Sequence, residues 1–203
     1  MLLVFGDGTV ASVVTEYLSE PFVTTKEGGV VPFETIEQTH PPNEWEILIA
    51  VGDNKLRKRI WEESKAKGYT LRTWIHPQSI LTKCTVGEGS IIFENNTIQP
   101  FAEVGKGCIL WSGIDIAHHA KIGDFSYIAP HACIAGYAKL GEGCWMGVNS
   151  CVRDNVAIHP WNTVAMGACV AKNIMGEGGL YMGVPAKKKQ DTEMRATRRR
   201  SLV

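Results

Sequence analysis

The sequence has no surplus of charge of either sign. Its 203 residues include 21 Lys and Arg against 21 Asp and Glu, so the formal net charge at pH 7 is +0. A nucleic acid is therefore not expected as the main partner, because neutralising phosphates requires a surplus of Lys and Arg. The basic run Arg198, Arg199 and Arg200 is interpreted as part of a solvated basic C-terminal tail, residues 189–203.

The sequence also lacks a Cys-x-x-Cys pair and a long apolar run. Without such a pair, the six cysteines do not indicate a metal site, and reduced thiols are typical of a cytoplasmic protein. The apolar opening of the chain, residues 1–5, is too short for the apolar part of a signal peptide. No run approaches the length of about 20 residues that spans a bilayer. We therefore expect a cytoplasmic protein with no metal and no membrane partner.

What the sequence does contain is a six-residue repeat from Ile80 to about Met175. Sixteen consecutive repeats begin with an aliphatic residue, and a mostly small side chain follows four residues later. A period of six is neither the helical 3.6 nor the strand alternation of two. The aliphatic positions are Ile80, Val86, Ile92, Ile98, Val104, Leu110, Ile116, Ile122, Ile128, Ile134, Leu140, Met146, Val152, Ile158, Val164 and Val170.

The repeat predicts a triangular coil of short parallel strands. The aliphatic residue points inward and the small residue lies near a corner, so three repeats complete one turn. Residues 18 apart then stack, in a little over five coils spaced by roughly 4.8 Å. Burial of each inward side chain contributes about 1.5 to 3 kcal/mol, and each coil contacts only its neighbours. Three cysteines at intervals of 18 should form one column: Cys133, Cys151 and Cys169.

Residues 1–77 are interpreted as a small α/β domain with a parallel sheet. Clear strands are predicted at 2–5, 46–51 and 71–75, weaker ones at 22–24 and 30–33, and helices at 10–18 and 55–67. The second helix is capped by Asp53 or Asn54 and stops at Gly68. The turn Gly6-Asp7-Gly8-Thr9 joins a strand to a helix, a layout in which backbone amides can bind a phosphate. The full dinucleotide fingerprint is absent, so a tight turn without a ligand is equally compatible with these residues.

Five stretches identify a family resemblance. They are Ile49 to Lys58 (IAVGDNKLRK), Ile75-His76-Pro77, His118 to Ser126 (HHAKIGDFS), Gly147 to Val152 (GVNSCV) and Met182 to Lys187 (MGVPAK). Together with the six-residue repeat, they resemble the hexapeptide-repeat acyltransferases, whose fold is a left-handed parallel β-helix. Over residues 1–188 the chain looks like nucleotide-sugar N-acetyltransferases of the PglD and NeuD type. The resemblance implies a Rossmann-like nucleotide-sugar-binding domain at 1–77 and a left-handed β-helix acyltransferase domain at 78–188.

The resemblance implies an acetyl-CoA-dependent N-acetyltransferase that acts on the amine of a nucleotide-linked amino sugar for bacterial surface glycan synthesis. The enzyme would be a homotrimer with its active sites in clefts between the coils. His118 matches the general base, and an imidazole with a pKa near 6.5 can take a proton at neutral pH. His119 stands where the family often has an acidic residue. Tyr127 stands where a second histidine lies near the acetyl group, and its phenol can still donate a hydrogen bond.

The resemblance also implies binding residues. CoA would contact Tyr127, Gly136, Val148 and Met166, and the sugar nucleotide would lie near Gly6, Gly8, Thr9, Gly52 and Asn54. The 18-residue stacking independently predicts one column of His118, Gly136 and Asp154, and a second of His119, Tyr137 and Asn155. Asp154 would be about 9.6 Å from His118, too far to orient it. Asp115, Asp124 or a residue of a neighbouring subunit remain open for that role. Subunit contacts are expected at exposed aromatic residues: Trp111, Trp145 and Trp161.

Three alternatives remain. An O-acyltransferase, or a transferase that uses another acyl-CoA, could employ the same base, because a histidine also deprotonates a hydroxyl. A zinc-dependent carbonic anhydrase of the γ class shares the coil, but the histidine spacing here lacks its HxxxxH pair. A non-catalytic β-helix scaffold would have no affinity for CoA and no use for His118.

Overall fold

The N-terminal part of the chain forms a parallel sheet with helices on both sides. The computed structural model describes residues 1–19 and 21–191. Strands β1 (Leu2–Phe5), β2 (Phe22–Thr25), β3 (Glu46–Ile49) and β4 (Thr70–Leu71) pair in the order β2-β1-β3-β4. The helices are α1 (Thr9–Tyr17), α2 (Asn54–Ala66) and a 3-10 helix (Phe33–Gln38). We call this sheet with its helices the N-terminal unit.

The side chains of β1 and β3 alternate between two cores. Leu2, Val4 and Leu48 pack against α1 and against the coil, whereas Leu3 and Ile47 pack against the 3-10 helix and α2. A parallel sheet covered on both faces needs apolar residues at successive positions, which is why β1 reads as an unbroken apolar run. The N-terminal unit therefore presents one covered face of its sheet to the coil.

Two predicted strands of the N-terminal unit are wrong in detail. No strand forms at 30–33; Phe33 instead begins the 3-10 helix, and Pro32 lacks the amide that a strand interior would need. The predicted strand at 71–75 is two separate strands. Thr70–Leu71 belongs to the N-terminal sheet, and Trp74–Ile75 pairs with Ile91–Ile92 of the coil. One apolar stretch thus crosses between two cores.

The N-cap of α2, for which the sequence offered Asp53 or Asn54, is Asp53, whose Oδ1 accepts a hydrogen bond of 2.8 Å from Leu56 N–H.

The rest of the described chain is a coil of short parallel strands stacked into three faces. The first face contains Ile80–Leu81, Thr97–Ile98, Asp115–Ile116, Cys133–Ile134, Cys151–Val152 and Cys169–Val170. The second face contains Thr85–Val86, Glu103–Val104, Lys121–Ile122, Lys139–Leu140 and Ala157–Ile158. The third face contains Trp74–Ile75, Ile91–Ile92, Ile109–Leu110, Tyr127–Ile128, Trp145–Met146, Thr163–Val164, Gly179–Met182 and the antiparallel Lys187–Asp191.

The register confirms the predicted 18-residue stacking. Ile116 pairs with Ile134, which pairs with Val152, and the predicted cysteine column lies beside them on the first face. The aliphatic residues from Ile92 to Val170 are buried along the axis together with the small corner residues. This continuous core explains why the repeat tolerates no gap.

The first repeat departs from the predicted register. Ile80 is 64% exposed, and its neighbour Leu81 takes the inward position opposite Ile98. Leu81 and Ile98 are 17 residues apart, whereas Val86 and Val104 are 18 apart. The first turn of the coil is therefore one residue short, and the expectation that Ile80 points inward is wrong.

The turns between faces form three corners. The first corner joins the first face to the second and includes residues 117–120 and 135–138. The second corner joins the second face to the third and includes 105–108, 123–126 and 141–144; the third corner returns to the first face and includes 147–150 and 165–168. The hydrogen bonds of Arg57, on α2, reach carbonyl groups of the second corner.

The end of the chain continues the third face. Gly179–Met182 pairs in parallel with Thr163–Val164, and Lys187–Asp191 turns back on it. The beginning of the predicted tail, 189–191, thus belongs to a strand, and residues 192–203, including the arginine run, lie outside the described residues. In the described ranges, no helix has the length and apolar character needed to cross a bilayer.

Candidate active site

His118 lies on the first corner, directly after the strand Asp115–Ile116, and its side chain is exposed as predicted. Its backbone N–H donates a hydrogen bond of 3.1 Å to Oε1 of Gln99 in the coil before it. Gly136 lies in the next coil, in the predicted column. A Cβ added there would be 2.9 Å from Cε1 and 3.1 Å from Nε2 of His118. A glycine at this position is thus what lets the imidazole lie against the coil.

His119 is packed beside His118 in a stack of rings. The ring of His119 is stacked on Tyr137 at 4.6 Å with a 16° tilt, and it lies 4.8 Å from the ring of Phe101. Nδ1 of His118 is 3.2 Å from Nδ1 of His119. Tyr137 also meets the ring of His118 edge-on at 5.3 Å. The predicted column of His119 and Tyr137 is therefore confirmed.

The acidic side chains that the sequence left open do not hydrogen-bond to His118 within the described chain. Asp124 lies on the second corner and accepts from the backbone N–H of Lys106 at 3.1 Å. Asp154, which the stacking had already excluded by its distance, accepts from Nδ2 of Asn155 at 2.9 Å. Asp115 is exposed on the first face. The group that contacts Nδ1 of His118 is the imidazole of His119.

Tyr127 is not brought next to His118 within one chain. It lies on the third face, where its ring is stacked on Trp145 at 3.9 Å with a 9° tilt. Its hydroxyl accepts a hydrogen bond from Nε1 of Trp111. Burial raises the pKa of the Tyr127 phenol. The phenol is therefore a neutral, packed group at physiological pH.

The predicted CoA contacts are divided between two corners. Gly136 accompanies His118 on the first corner, whereas Val148 and Met166 stack on the third corner in adjacent coils, joined by a 2.8 Å hydrogen bond from Gly167 N–H to Val148 O. Val148 is 37% and Met166 76% exposed. One chain by itself therefore presents two separate halves of the predicted set.

The three tryptophans predicted to form an exposed surface are half-buried instead. Trp111 is stacked on Phe93 at 4.4 Å, and Trp145 is stacked on Tyr127. Trp161 lies over Gly143 within 6 Å of two lysines of α2: Lys55 and Lys58. The expectation failed because the N-terminal unit covers part of the third face and α2 covers the second corner.

The glycine turn after β1 borders a cleft of about 230 Å³ at the carboxyl ends of β1 and β2. Ligands of open parallel sheets bind at such ends. Gly6 has φ +135°, and a Cβ there would lie 2.7 Å from the carbonyl oxygen of Ala50, so the position requires glycine. The remaining lining residues are Asp7, Thr24, Thr25, Lys26, Gly29, Val30 and Val31.

The other predicted substrate residues lie beside this turn. Gly8 and Thr9 are exposed at the start of α1, and the N-cap residue of this helix, Gly8, has no side chain that could cap it. Gly52 is half-buried, and a Cβ there would lie 3.6 Å from Val10. The ion pair of Lys26 with Asp7 at 2.8 Å lies beside the exposed start of α1.

Asn54 does not reach this cleft. It is 1% exposed, its Nδ2 donates to Gly143 O at 3.1 Å, and its Oδ1 accepts from Nη2 of Arg57 at 2.8 Å. Asn54 therefore links α2 to the coil.

Arg57 is the residue that sequence reasoning missed, because it reads as part of a basic helix. Its side chain is 0% exposed; Nε donates to Gly107 O and Nη2 to Phe125 O, both at 2.7 Å, and Nη1 donates to Val51 O at 2.7 Å. Burial lowers the pKa of the Arg57 guanidinium to about 10, so it remains charged at neutral pH. Its helical spacing from the buried Ile60 was the available signal.

Comparison with known proteins finds chains with the same architecture. No family model matches the chain. The acetyltransferase domain of PglB from Neisseria gonorrhoeae, whose structure is also known in complex with acetyl coenzyme A, is 25% identical. The match covers 93% of this chain and 98% of that one, with a TM-score of 0.86. The structural neighbours are sugar N-acetyltransferases of the hexapeptide-repeat acyltransferase family.

Two further structures share this fold. PerB from Caulobacter crescentus, in complex with CoA and GDP-perosamine, is 24% identical over 93% of this chain and 97% of that one, with a TM-score of 0.87. WeeI from Acinetobacter baumannii is 19% identical over 93% and 99%, with a TM-score of 0.84. Both share the fold, so the predicted parallel β-helix is confirmed, and the resemblance to an acetyltransferase rests on the PglB domain. Residues 1–19 and 21–191 contain no group of three or more metal-ligating side chains.

Proposed function

We propose that this chain is an acetyl-CoA-dependent N-acetyltransferase that acts on the amine of a nucleotide-linked amino sugar, with His118 as the general base. The observation that carries the proposal is the match to the PglB acetyltransferase domain, which covers nearly the whole of both chains. The PglB complex with acetyl coenzyme A and the PerB complex with GDP-perosamine support the two substrate classes.

The proposed reaction transfers an acetyl group from sulfur to nitrogen. The sugar amine attacks the carbonyl carbon of the thioester, and Nε2 of His118 takes the proton that the nitrogen must lose. The C–S bond then breaks, and CoA leaves as a thiolate that accepts the proton from the imidazolium. The bare backbone of Gly136 beside the ring leaves space for the pantetheine arm.

The N-terminal unit supports nucleotide binding at the glycine turn. We assign residues 1–77 to a Rossmann-like domain in which Gly6, Gly8, Thr9 and Gly52 border the nucleotide sugar. The backbone amides and the positive end of the dipole at the start of α1, whose N-cap is Gly8, favour a diphosphate there. Asn54 is left out of this set, because both ends of its amide are used at the interface with the coil.

The division of the CoA residues between two corners supports a homotrimer. In a trimer of triangular coils, the third corner of one copy can face the first corner of the next. Val148 and Met166 of one copy would then complete the site of His118 and Gly136 in its neighbour. As in the family, we assign residues 78–188 to a left-handed coil.

The six cysteines form no disulfide, which fits a cytoplasmic enzyme of bacterial surface glycan synthesis.

Thiol release from acetyl-CoA across a panel of UDP-, dTDP- and GDP-linked amino sugars tests the proposal. His118→Asn should lower turnover by on the order of 10² to 10⁴-fold, because it removes the base. The matched control is His159→Asn, at the end of the second face and away from the first and third corners. Equal activity of both variants would refute the role of His118.

Other outcomes would select the alternatives. Acetylation of sugar nucleotides that lack the amine would indicate O-acyl transfer, and turnover only with longer acyl-CoA donors would overturn the acetyl assignment. A wild-type protein that is silent across the panel and binds no CoA would overturn the enzyme proposal in favour of a scaffold.

A further inference from the structure

The two adjacent histidines on the first corner form a hydrogen-bonded pair. Their Nδ1 atoms are 3.2 Å apart and their rings are 85° apart. At this separation one Nδ1–H donates a hydrogen bond and the other, unprotonated Nδ1 accepts it. The direction of this hydrogen bond therefore fixes the tautomer of both rings. In the part of the chain that the structure describes, no carboxylate hydrogen-bonds to either ring.

His119 is the more firmly held member of the pair. Its ring lies between Phe101 and Tyr137, with ring centroids at 4.8 and 4.6 Å. Its backbone has φ +61° and donates from N–H to Pro100 O at 3.3 Å. The ring of His118 is exposed, by contrast, and contacts Tyr137 and His119 by its edges. The orientation of the exposed ring therefore follows from the packed one.

The surroundings of the pair contain few ionisable groups. The phenol of Tyr137 is the titratable group that packs against both rings. Lys121, on the adjoining second-face strand, is paired with Glu103 at 2.7 Å. Other charged side chains on adjoining elements are Lys83, Asp115, Lys139 and Asp154. The hydrogen bond between the imidazoles is thus the direct polar contact of Nδ1 of His118.

We infer that His119 is the positioning residue of the base: as a neutral imidazole it accepts a hydrogen bond at Nδ1 from Nδ1–H of His118. This assignment leaves the lone pair of His118 on Nε2, the nitrogen beside Gly136, where the proposed reaction needs it. The inference rests on the proposed function and specifies how its base is prepared. His119 itself touches no reacting atom.

A neutral acceptor has a consequence for the pH dependence. A carboxylate in this position would stabilise the imidazolium by its charge and hold the base protonated up to a higher pH. A neutral imidazole fixes the tautomer without that stabilisation. A carboxylate introduced at position 119 should therefore move the acid limb of the rate profile to higher pH.

Three substitutions of His119 separate this role from a packing role. His119→Asn keeps a neutral acceptor at the same number of bonds from Cα and tolerates positive φ. His119→Asp places a carboxylate there. His119→Phe keeps the ring stack but has no acceptor; Phe101 and Phe125 occupy equivalent corner positions with φ +65° and +57°. These two residues show that a phenylalanine is compatible with the backbone at such a position, so His119→Phe is a suitable control for packing.

We expect His119→Asn to retain turnover within about threefold of wild type and to keep the same acid limb. His119→Asp should move the acid limb of kcat upward by about one pH unit. His119→Phe should lower kcat by roughly tenfold or more without changing the KM for acetyl-CoA. If Asn and Phe have equal effects, or Asp leaves the limb in place, the positioning role is refuted.

A tautomer measurement works even without turnover. The ¹⁵N chemical shifts of His118 in labelled protein at pH 8 should show protonated Nδ1 and unprotonated Nε2 in wild type and His119→Asn. The preference should disappear in His119→Phe. Protonated Nε2 in wild type would overturn the inference even in an active enzyme. The predicted tautomer in a protein without transferase activity would instead overturn the proposed function alone.

Discussion

Replacing the buried Arg57 tests how the N-terminal unit is held on the coil. Arg57→Met keeps most of the side-chain volume and removes every donor. The carbonyl groups of Gly107 and Phe125 and the Oδ1 of Asn54 would each lose a donor at 2.7 to 2.8 Å. Leaving a buried polar group unsatisfied costs about 1 to 3 kcal/mol. The variant no longer has to bury a charged guanidinium, which offsets part of this cost. We therefore expect the free energy of unfolding to fall by about 3 to 5 kcal/mol.

Such a loss is a large share of the roughly 5 to 15 kcal/mol that stabilises a domain. At about 2 to 4 °C per kcal/mol for a chain of this size, Tm should fall by roughly 6 to 20 °C. Urea unfolding followed by circular dichroism measures the free energy of unfolding. Hydrogen exchange shows which part of the protein loses stability. Exchange should accelerate first in β1 and β3, because these strands depend on the contact with the coil.

Arg59→Met is the matched control on the same helix. Arg59 is exposed and forms ion pairs with Glu27 at 2.8 Å and Glu63 at 3.1 Å. Exposed pairs contribute about 0 to 1 kcal/mol, so this variant should unfold close to wild type. If Arg57→Met loses less than about 1 kcal/mol, or no more than Arg59→Met, the argument from unsatisfied carbonyls is wrong.

Three further predictions concern single positions. Gly136→Ala should reduce turnover at least tenfold with little change in Tm, because a Cβ 2.9 Å from Cε1 displaces the exposed ring of His118; unchanged kinetics would contradict the geometry. Gly6→Ala should weaken nucleotide-sugar binding and lower Tm, since its Cβ would lie 2.7 Å from Ala50 O and φ is +135°; calorimetric titration and melting check both. Burial raises the pKa of the Cys108 thiol to about 12, so above about pH 9 the unfolded thiol loses a proton that the folded one keeps. The free energy of unfolding should therefore fall as pH rises, and in wild type it should fall more steeply than in Cys108→Ala, by up to about 1.4 kcal/mol per pH unit. Urea unfolding measured from pH 8 to 10 tests this, and the same pH dependence in both proteins would refute it.

The coil could be predicted from the sequence because its period is local and strict. The position of a residue within its own repeat shows whether its side chain points inward. Ile116, Ile134 and Val152 can therefore be assigned to the core without knowledge of the strands they pair with. The column of His118 and Gly136 follows from the same period. The offset at Ile80 could not be predicted, because the residue pattern is equally regular on both sides of the shortened turn.

What the sequence did not provide is the packing between the N-terminal unit and the coil. Trp111 and Trp145 look like surface residues when only the repeat is considered, and Arg57 looks like a solvated charge on a helix. Their burial depends on contacts between residues that lie far apart in the chain, such as the 50 positions between Arg57 and Gly107. The hydrogen bond between His118 and His119 depends on side-chain orientation, which no spacing rule specifies.

The stacking of the coil also makes distance along its axis countable. Each turn adds 18 residues and about 4.8 Å. Helix α2 is hydrogen-bonded to Phe125, in the turn that carries His118, and to Gly107 and Gly143, in the turns before and after it. Inserting a whole turn after Val152 would lengthen the molecule and leave the spacing between the glycine turn and the histidine untouched. Inserting the same 18 residues between Phe125 and Gly143 would move these two of the three attachment points of α2 apart. Length is therefore free to vary at one end of this molecule and fixed in its middle.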